Sequence, residues 1–171
     1  MPRRPLDPTR GVLEIDWPLF GELCRALAVK VAHEYDPEIV VGIAKAGVIP
    51  GAVIASILQR EFVSMSVTRP KVGEPPVLVS GPPASVAGRR VLLVDETCDT
   101  GHTLKLALNE VRAVGPAEVR TAVSFRTGGF NPDFYSFSTE KAIILPWDRE
   151  EIRDGELVPR SDWTPGGASP E

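Results

Sequence analysis

Leu19, Leu23, Leu27 and Val31 recur at every fourth position after Asp16. That spacing predicts an amphipathic helix reaching about Tyr35, with Asp16 as its N-cap. The run "PEIVVGIA" (37–44) is short, apolar and rich in β-branched residues, so it predicts a buried strand. "GVIPGAVIASILQR" (47–60) predicts a helix with Pro50 in its first turn, where a missing N–H costs little. "EFVSMSV" (61–67), "RRVLLV" (89–94), "AEVRTAVSF" (117–125) and "KAIILPW" (141–147) predict further strands. "TLKLALNEVRAV" (103–114) puts Leu104, Leu108 and Val111 on one helix face and offers Gly115 as the residue after its C-cap.

Between Thr68 and Gly88 the periodicity fails. Five of the chain's 17 prolines fall here, and only "PPVLVS" reads as a short strand. A stretch of this length inside a compact domain predicts a long flexible lid loop over 68–88. Residues 1–11 read as an irregular N-terminal arm and 154–171 as a disordered tail, which leaves a single domain over 12–153. Strand and helix alternate through that domain. The alternation predicts an α/β fold, a parallel twisted sheet flanked by helices on both faces. Ligands of such sheets bind beyond the carboxyl ends of the strands.

Composition narrows the field without choosing a function. The 171 residues suffice for one domain with a real core. Net charge is −4 with a pI near 5.3, which argues against a nucleic-acid partner. Cys24 and Cys98 form neither a disulfide framework nor a metal-binding spacing. The basic N-terminal arm lacks the apolar stretch of a signal peptide, and no segment has the length of a membrane span. The expectation is a cytoplasmic protein that binds neither nucleic acid nor membrane.

The chemistry concentrates in "VLLVDETCDTGHTL" (91–104), where an apolar strand runs into three acids and a glycine turn before a helix. Thr100, Gly101, His102 and Thr103 lie at the helix start. Main-chain N–H groups there are unsatisfied and sit at the positive end of the helix dipole, so with two hydroxyls they make a phosphate cradle. Asp95 and Glu96 would repel a phosphate. Ionised carboxylates accept only, so they suit the paired hydroxyls of a ribose or a divalent cation. Asp99 lies nearer the turn, where it can accept or hold a proton on a reacting base. The loop matches a pentose 5-phosphate. No G-x-G-x-x-G follows a strand, and "GIAKAG" (42–47) lacks the Lys and Ser/Thr that a P-loop needs.

"VLLVDETCDTGHT" resembles the 5-phosphoribosyl-1-diphosphate (PRPP) motif of type I phosphoribosyltransferases. "VVGIAKAGVIPGAVIA" resembles that family's pyrophosphate loop. "ILPWD" is similar to the end of the base pocket in its bacterial and archaeal xanthine–guanine and hypoxanthine branch. The resemblance covers roughly residues 12–150. It implies that Asp95 and Glu96 hold the ribose hydroxyls, that Glu96 helps place Mg²⁺ together with Asp148, and that Asp99 handles the proton at purine N7. It also implies that Asp99 and Thr100–Thr103 cradle the 5-phosphate and that Lys45, Ala46, Gly47 and Arg69 face the pyrophosphate. Arg126, Ile143 and Trp147 fall in the base pocket, within a small C-terminal base-binding hood. Lys71, like Arg69, belongs to the lid.

The sequence departs from the family pattern at four places. Glu96 replaces the usual second Asp. Lys45-Ala46-Gly47 replaces Arg-Gly-Gly, a loop that in relatives starts with a non-proline cis peptide; lysine keeps the charge but not the guanidinium fork. Arg126 stands where relatives carry a lysine against O6 of a 6-oxopurine. Ala142 stands where they carry an aromatic that stacks on the base, a contact worth about 1–3 kcal/mol in nucleic-acid proteins. The implied activity is phosphoribosyl transfer from PRPP to a nucleobase, a 6-oxopurine first, with Mg²⁺ as cofactor and a homodimer or homotetramer as the assembly. The alternatives are a PRPP- or nucleotide-sensing regulator of the same fold, or transfer to adenine or a pyrimidine.

Overall fold

The computed structural model describes residues 11–71 and 74–160. Six strands form its central sheet in the order β4-β3-β2-β5-β6-β7. They are β2 (Ile39–Ala44), β3 (Glu61–Thr68), β4 (Val77–Ser80), β5 (Arg90–Cys98), β6 (Glu118–Arg126) and β7 (Phe134–Ser138). Neighbours run parallel, except that β4 is antiparallel to β3 at one edge. The fold is therefore the expected α/β class with a mostly parallel sheet.

Central strands of such a sheet need apolar side chains on both faces, because helices cover both. Ile39, Val41, Ile43, Val91 and Leu93 bury one face beneath α3 (His102–Ala113), which supplies Leu104, Ala107 and Val111. The alternate residues Val40, Leu92 and Val94 bury the other face with Leu27, Ala28 and Val31 of α1 (Trp17–Glu34) and Ile54 and Ala55 of α2 (Val48–Leu58). The Asp16 carboxylate caps α1 by accepting from the Leu19 amide at 2.8 Å. The buried stripe of α1 is Phe20, Cys24, Leu27, Ala28 and Val31, and Leu19 stays 45% exposed. A strict four-residue step advances about 40° beyond a full turn each time, so the stripe from Leu19 to Val31 winds off the buried face.

Three strands differ from the sequence reading. β5 runs on to Cys98, so Asp95 and Glu96 belong to the strand rather than to the loop after it. β7 has no counterpart in the sequence reading, because "FYSFS" buries only Phe134 fully and alternates weakly. The strand expected over 141–147 shrinks to β8 (Ala142–Ile144), which leaves the main sheet to pair in parallel with β1 (Val12–Glu14). A 3-10 turn, Pro146–Asp148, follows where proline cannot extend a ladder.

The tail expected from residue 154 is corrected over its first part. Asp154 and Gly155, both at positive φ, turn β9 (Glu150–Arg153) into an antiparallel β10 (Glu156–Pro159). Asp-Gly is the usual chemistry of a tight hairpin. The rest of that tail, and the N-terminal arm up to residue 10, lie outside the described residues. Within the 68–88 segment, β4 and a 3-10 turn at Ala84–Val86 are formed. Among the described residues no helix is long and apolar enough to cross a membrane.

The amino ends of the strands are joined by ion pairs: Arg60–Asp36 at 2.8 Å, Arg90–Asp36 at 3.0 Å and Arg89–Glu61 at 2.7 Å. The acids and glycines of the sequence motifs all lie at the opposite, carboxyl end.

Candidate active site

The site begins where the sheet becomes one-sided. β5 pairs with β2 only as far as Val94↔Gly42 but continues along β6 to Cys98↔Arg126. The chain leaves β2 at Ala44 and turns through residues 45–47 into α2. That departure opens the flank of β5 where Asp95 and Glu96 stand. Asp95 is 7% exposed and Glu96 half-buried. Asp95 Oδ1 accepts the Glu96 main-chain N–H at 2.9 Å, and the two carboxyl groups also hydrogen-bond to each other. Burial first, and the neighbouring Glu96 charge second, push the Asp95 carboxyl well above the usual carboxylate range, against the pull of Arg69.

The loop at 45–47 rests on this strand end. Its first peptide, Ala44–Lys45, is cis. Gly47 is required by close approach: a Cβ there would lie 2.7 Å from both the Ile43 and Val94 carbonyl oxygens and 2.8 Å from Asp95 Cα. Lys45 is exposed and Ala46 half-buried, so the loop's cation faces outward beside the buried acids.

Past Cys98 the chain makes the glycine turn. Gly101 has φ +75° and starts α3 with no side-chain cap, so the first-turn amides of the helix are left open to an anion. The turn folds back on the strand, and the Gly101 main chain hydrogen-bonds Cys98. Arg69, just past β3, donates to Thr103 Oγ1 at 3.3 Å. One guanidinium thus donates at the anion cradle and attracts the buried Asp95. Thr100 and His102 are exposed.

A third loop, 127–133 between β6 and β7, closes over the turn. Thr127 N–H donates to the Cys98 carbonyl at 2.9 Å. The Phe130 ring covers Gly101, where a Cβ would come within 2.8 Å of Phe130 Cβ. Arg126, at the end of β6, donates to Asn131 Oδ1 at 2.5 Å and lies over the Tyr135 ring at 5.4 Å; its buried Nε has no partner. Phe125, the neighbour of Arg126, packs with Ile143, Leu145 and Trp147 of the C-terminal segment.

Comparison with known proteins places this geometry. Residues 15–149 match the family model described as the phosphoribosyl transferase domain. The chain belongs to the phosphoribosyltransferase family. A purine phosphoribosyltransferase from Pyrococcus horikoshii superposes with a TM-score of 0.73 at 29% identity, over 84% of this chain and 98% of that one. The xanthine-guanine-hypoxanthine phosphoribosyltransferase of Helicobacter pylori is similar in fold, with a TM-score of 0.66 at 15% identity over 80% and 93% of the two chains. So is the hypoxanthine phosphoribosyltransferase of Trypanosoma cruzi, with a TM-score of 0.59 at 17% identity over 70% and 75%.

In this phosphoribosyltransferase the structure gathers Asp95, Glu96, Asp99, the Thr100–Thr103 turn, the 45–47 loop and Arg69 at one end of the sheet. Arg126 lies beside them, at the end of β6. Trp147 is otherwise engaged: its ring meets Phe20 edge-on at 4.9 Å and Trp17 at 5.6 Å, and its buried indole N–H has no partner. Ile143 lies in the same apolar cluster, and Ala142 pairs with Val12 in the β1–β8 ladder. Asp148 is buried in the 3-10 turn. Among the described residues no three His, Cys, Asp or Glu side chains cluster as metal ligands. The sequence reading missed Gly128, Asn131 and Asp133. Their signal was the "TGGFNPD" run, whose glycines and Asn-Pro mark a tight loop.

Proposed function

We propose that this phosphoribosyltransferase moves the 5-phosphoribosyl group of PRPP onto a 6-oxopurine, hypoxanthine, guanine or xanthine, and releases pyrophosphate. The supporting observation is buried Asp95 beside half-buried Glu96, with Arg69 attracting Asp95 and donating to Thr103 at an uncapped helix start. A hydroxyl-rich sugar and its terminal phosphate make opposite demands, and this site meets both within one strand and one turn. Arg126 adds the base preference: its donors suit a carbonyl oxygen at C6 and repel an amino group.

In the reaction the C1–O bond to pyrophosphate breaks and a bond from C1 to N9 of the base forms. The transition state gathers positive charge on the ribose ring, which the carboxylates of Asp95 and Glu96 favour. Attack by N9 of the N7–H tautomer leaves a proton at N7, and the Asp99 carboxylate takes it. Lys45 and Arg69 meet the charge of the departing pyrophosphate. The 68–88 segment closes to keep water from C1.

The donor set also suits Mg²⁺. Two carboxylates with oxygen donors from the substrate match its habit of taking few protein ligands. Glu96 and Asp148 are the residues assigned to hold it, and a bound Mg²⁺ would supply neutralisation of pyrophosphate charge. We also propose that the enzyme is cytoplasmic. A homodimer or homotetramer is proposed because α2 is apolar all round yet leaves Val53 and Ile57 exposed.

The test is to incubate the protein with PRPP, Mg²⁺ and each common nucleobase, following nucleotide and pyrophosphate. Turnover of a 6-oxopurine with little of adenine or a pyrimidine is expected. Turnover of adenine alone would overturn the base assignment, and tight PRPP binding without turnover of any base would overturn the reaction.

A further inference from the structure

Residues 126–128 are joined to residues 98–99 at successive positions. Cys98 pairs with Arg126 in the β5–β6 ladder. The Thr127 N–H donates to the Cys98 carbonyl at 2.9 Å, with the Thr127 hydroxyl 3.5 Å from the same oxygen. Gly128 then lies flat against Asp99. A Cβ on Gly128 would collide with the Asp99 carboxylate and stand 2.8 Å from its carbonyl carbon. Gly129, one residue on, has nothing within 4 Å of the same added atom. The far end of the loop is anchored as well: Asp133 Oδ2 accepts from the Thr121 N–H and the Thr121 hydroxyl, both at 2.7 Å.

A purine carries O6 and N7 on one edge at a fixed separation. Two side chains that address both atoms must hold their spacing before the base arrives, or binding must impose it. Arg126 and Asp99 stand on different strands and loops, and ordinary loop motion would let them drift. The main-chain tie at Thr127 and the bare Cα of Gly128 remove that freedom.

We propose that Gly128 is a positioning residue that sets Asp99 against purine N7 and fixes its distance from Arg126, so that the 126–128 segment reads the O6–N7 edge as one rigid unit. This rests on the assignment of a 6-oxopurine substrate and of Asp99 to N7. Gly128 touches no reacting atom; its effect passes through Asp99. A side chain at 128 meets the Asp99 carboxylate and the Asp99 main chain at once, so it moves the carboxylate and presses on the start of the phosphate turn.

The test compares binding of IMP and its 7-deaza counterpart by calorimetry in the presence of Mg²⁺ and pyrophosphate, with turnover of hypoxanthine measured alongside. After transfer Asp99 holds the proton and donates it to N7 of the nucleotide, a bond the 7-deaza compound cannot make. The parent enzyme should prefer IMP by about tenfold, the worth of one such hydrogen bond. Gly128→Ala should reduce that preference to within about twofold and cut kcat by about tenfold or more, with a smaller rise in KM for PRPP. Gly129→Ala should behave as the parent. In an Asp99→Asn background, Gly128→Ala should add no further loss, as expected of two residues acting through one contact.

If Gly128→Ala does not fold, Asp133→Ala frees the loop's other anchor and should lower the same preference part of the way. A Gly128→Ala enzyme that keeps the full preference overturns the proposal, as does an unchanged preference in Asp133→Ala should that variant be needed. A parent that turns over hypoxanthine without preferring IMP overturns it too, and leaves the reaction standing. A parent that turns over no 6-oxopurine overturns the assignment beneath it.

Discussion

The guanidinium of Arg69 lies 3.3 Å from the hydroxyl of Thr103, 34 positions along the chain, and exerts its attraction on buried Asp95 as well. A residue just past β3 therefore engages the turn at the end of β5. Arg69→Ala removes a charged donor from the region assigned to phosphate and pyrophosphate. Charge-assisted hydrogen bonds contribute about 1.5–3 kcal/mol, so KM for PRPP should rise by about tenfold to a hundredfold. Arg69→Lys should recover part of this. Steady-state kinetics at varied PRPP check it, and an unchanged KM would remove Arg69 from the substrate site.

Asp95 sets stability against binding. Its folded-state pKa is raised, chiefly by burial, above an ordinary value of 3.8. The stabilisation from holding its proton is complete below that value and drains away as pH rises through the raised one. The ligand-free protein should lose stability over that interval. Asp95→Asn should flatten the loss and melt higher than the parent at neutral pH, while turnover with PRPP falls by about a hundredfold or more. Thermal melts from pH 4 to 8 with a parallel assay decide it; a variant that melts lower at pH 7 contradicts the burial argument.

Both cysteines should be inert in the native protein. Cys98 sits inside the motif, but burial and the nearby Asp95 and Asp99 charges push its thiol up to about 11, and burial raises Cys24 to about 12. At pH 8 only about one Cys98 in a thousand is the reactive thiolate. Thiol titration should find no fast-reacting group in the native enzyme and two groups after denaturation. One rapid equivalent before denaturation would show that the glycine turn opens readily.

Gly47→Ala should be costly twice over. The added methyl meets two carbonyl oxygens at 2.7 Å and must move the 45–47 loop or the end of β5. Overpacking of this kind destabilises by about 1–3 kcal/mol. Activity should fall further than stability, because the displaced loop is the one assigned to pyrophosphate. Parent-like melting and kinetics together would contradict the contact.

Particular residues show what could be read in advance. The Val91–Val94 run was legible as strand, because burial on both faces leaves a continuous apolar signature, though β5 runs on through the acids to Cys98. Gly101 and Gly115 were legible as turn glycines, and both sit at positive φ. β7 was not, because its strand character comes from pairing with β6 rather than from its own pattern. Nor was the seat of Trp147: only the docking of the C-terminal segment against Phe20 and Trp17 decides that its ring packs there. Gly128 was invisible for a related reason, since a glycine's need for space depends on what the fold brings next to it.

The most direct measurement is a crystal structure with IMP, Mg²⁺ and pyrophosphate bound. The 5-phosphate should accept hydrogen bonds from main-chain amides of the Thr100–Thr103 turn, with the ribose hydroxyls on Asp95 and Glu96. Nucleotide bound instead at the amino end of the sheet, among Arg60, Arg89 and Arg90, with the turn empty, would contradict it.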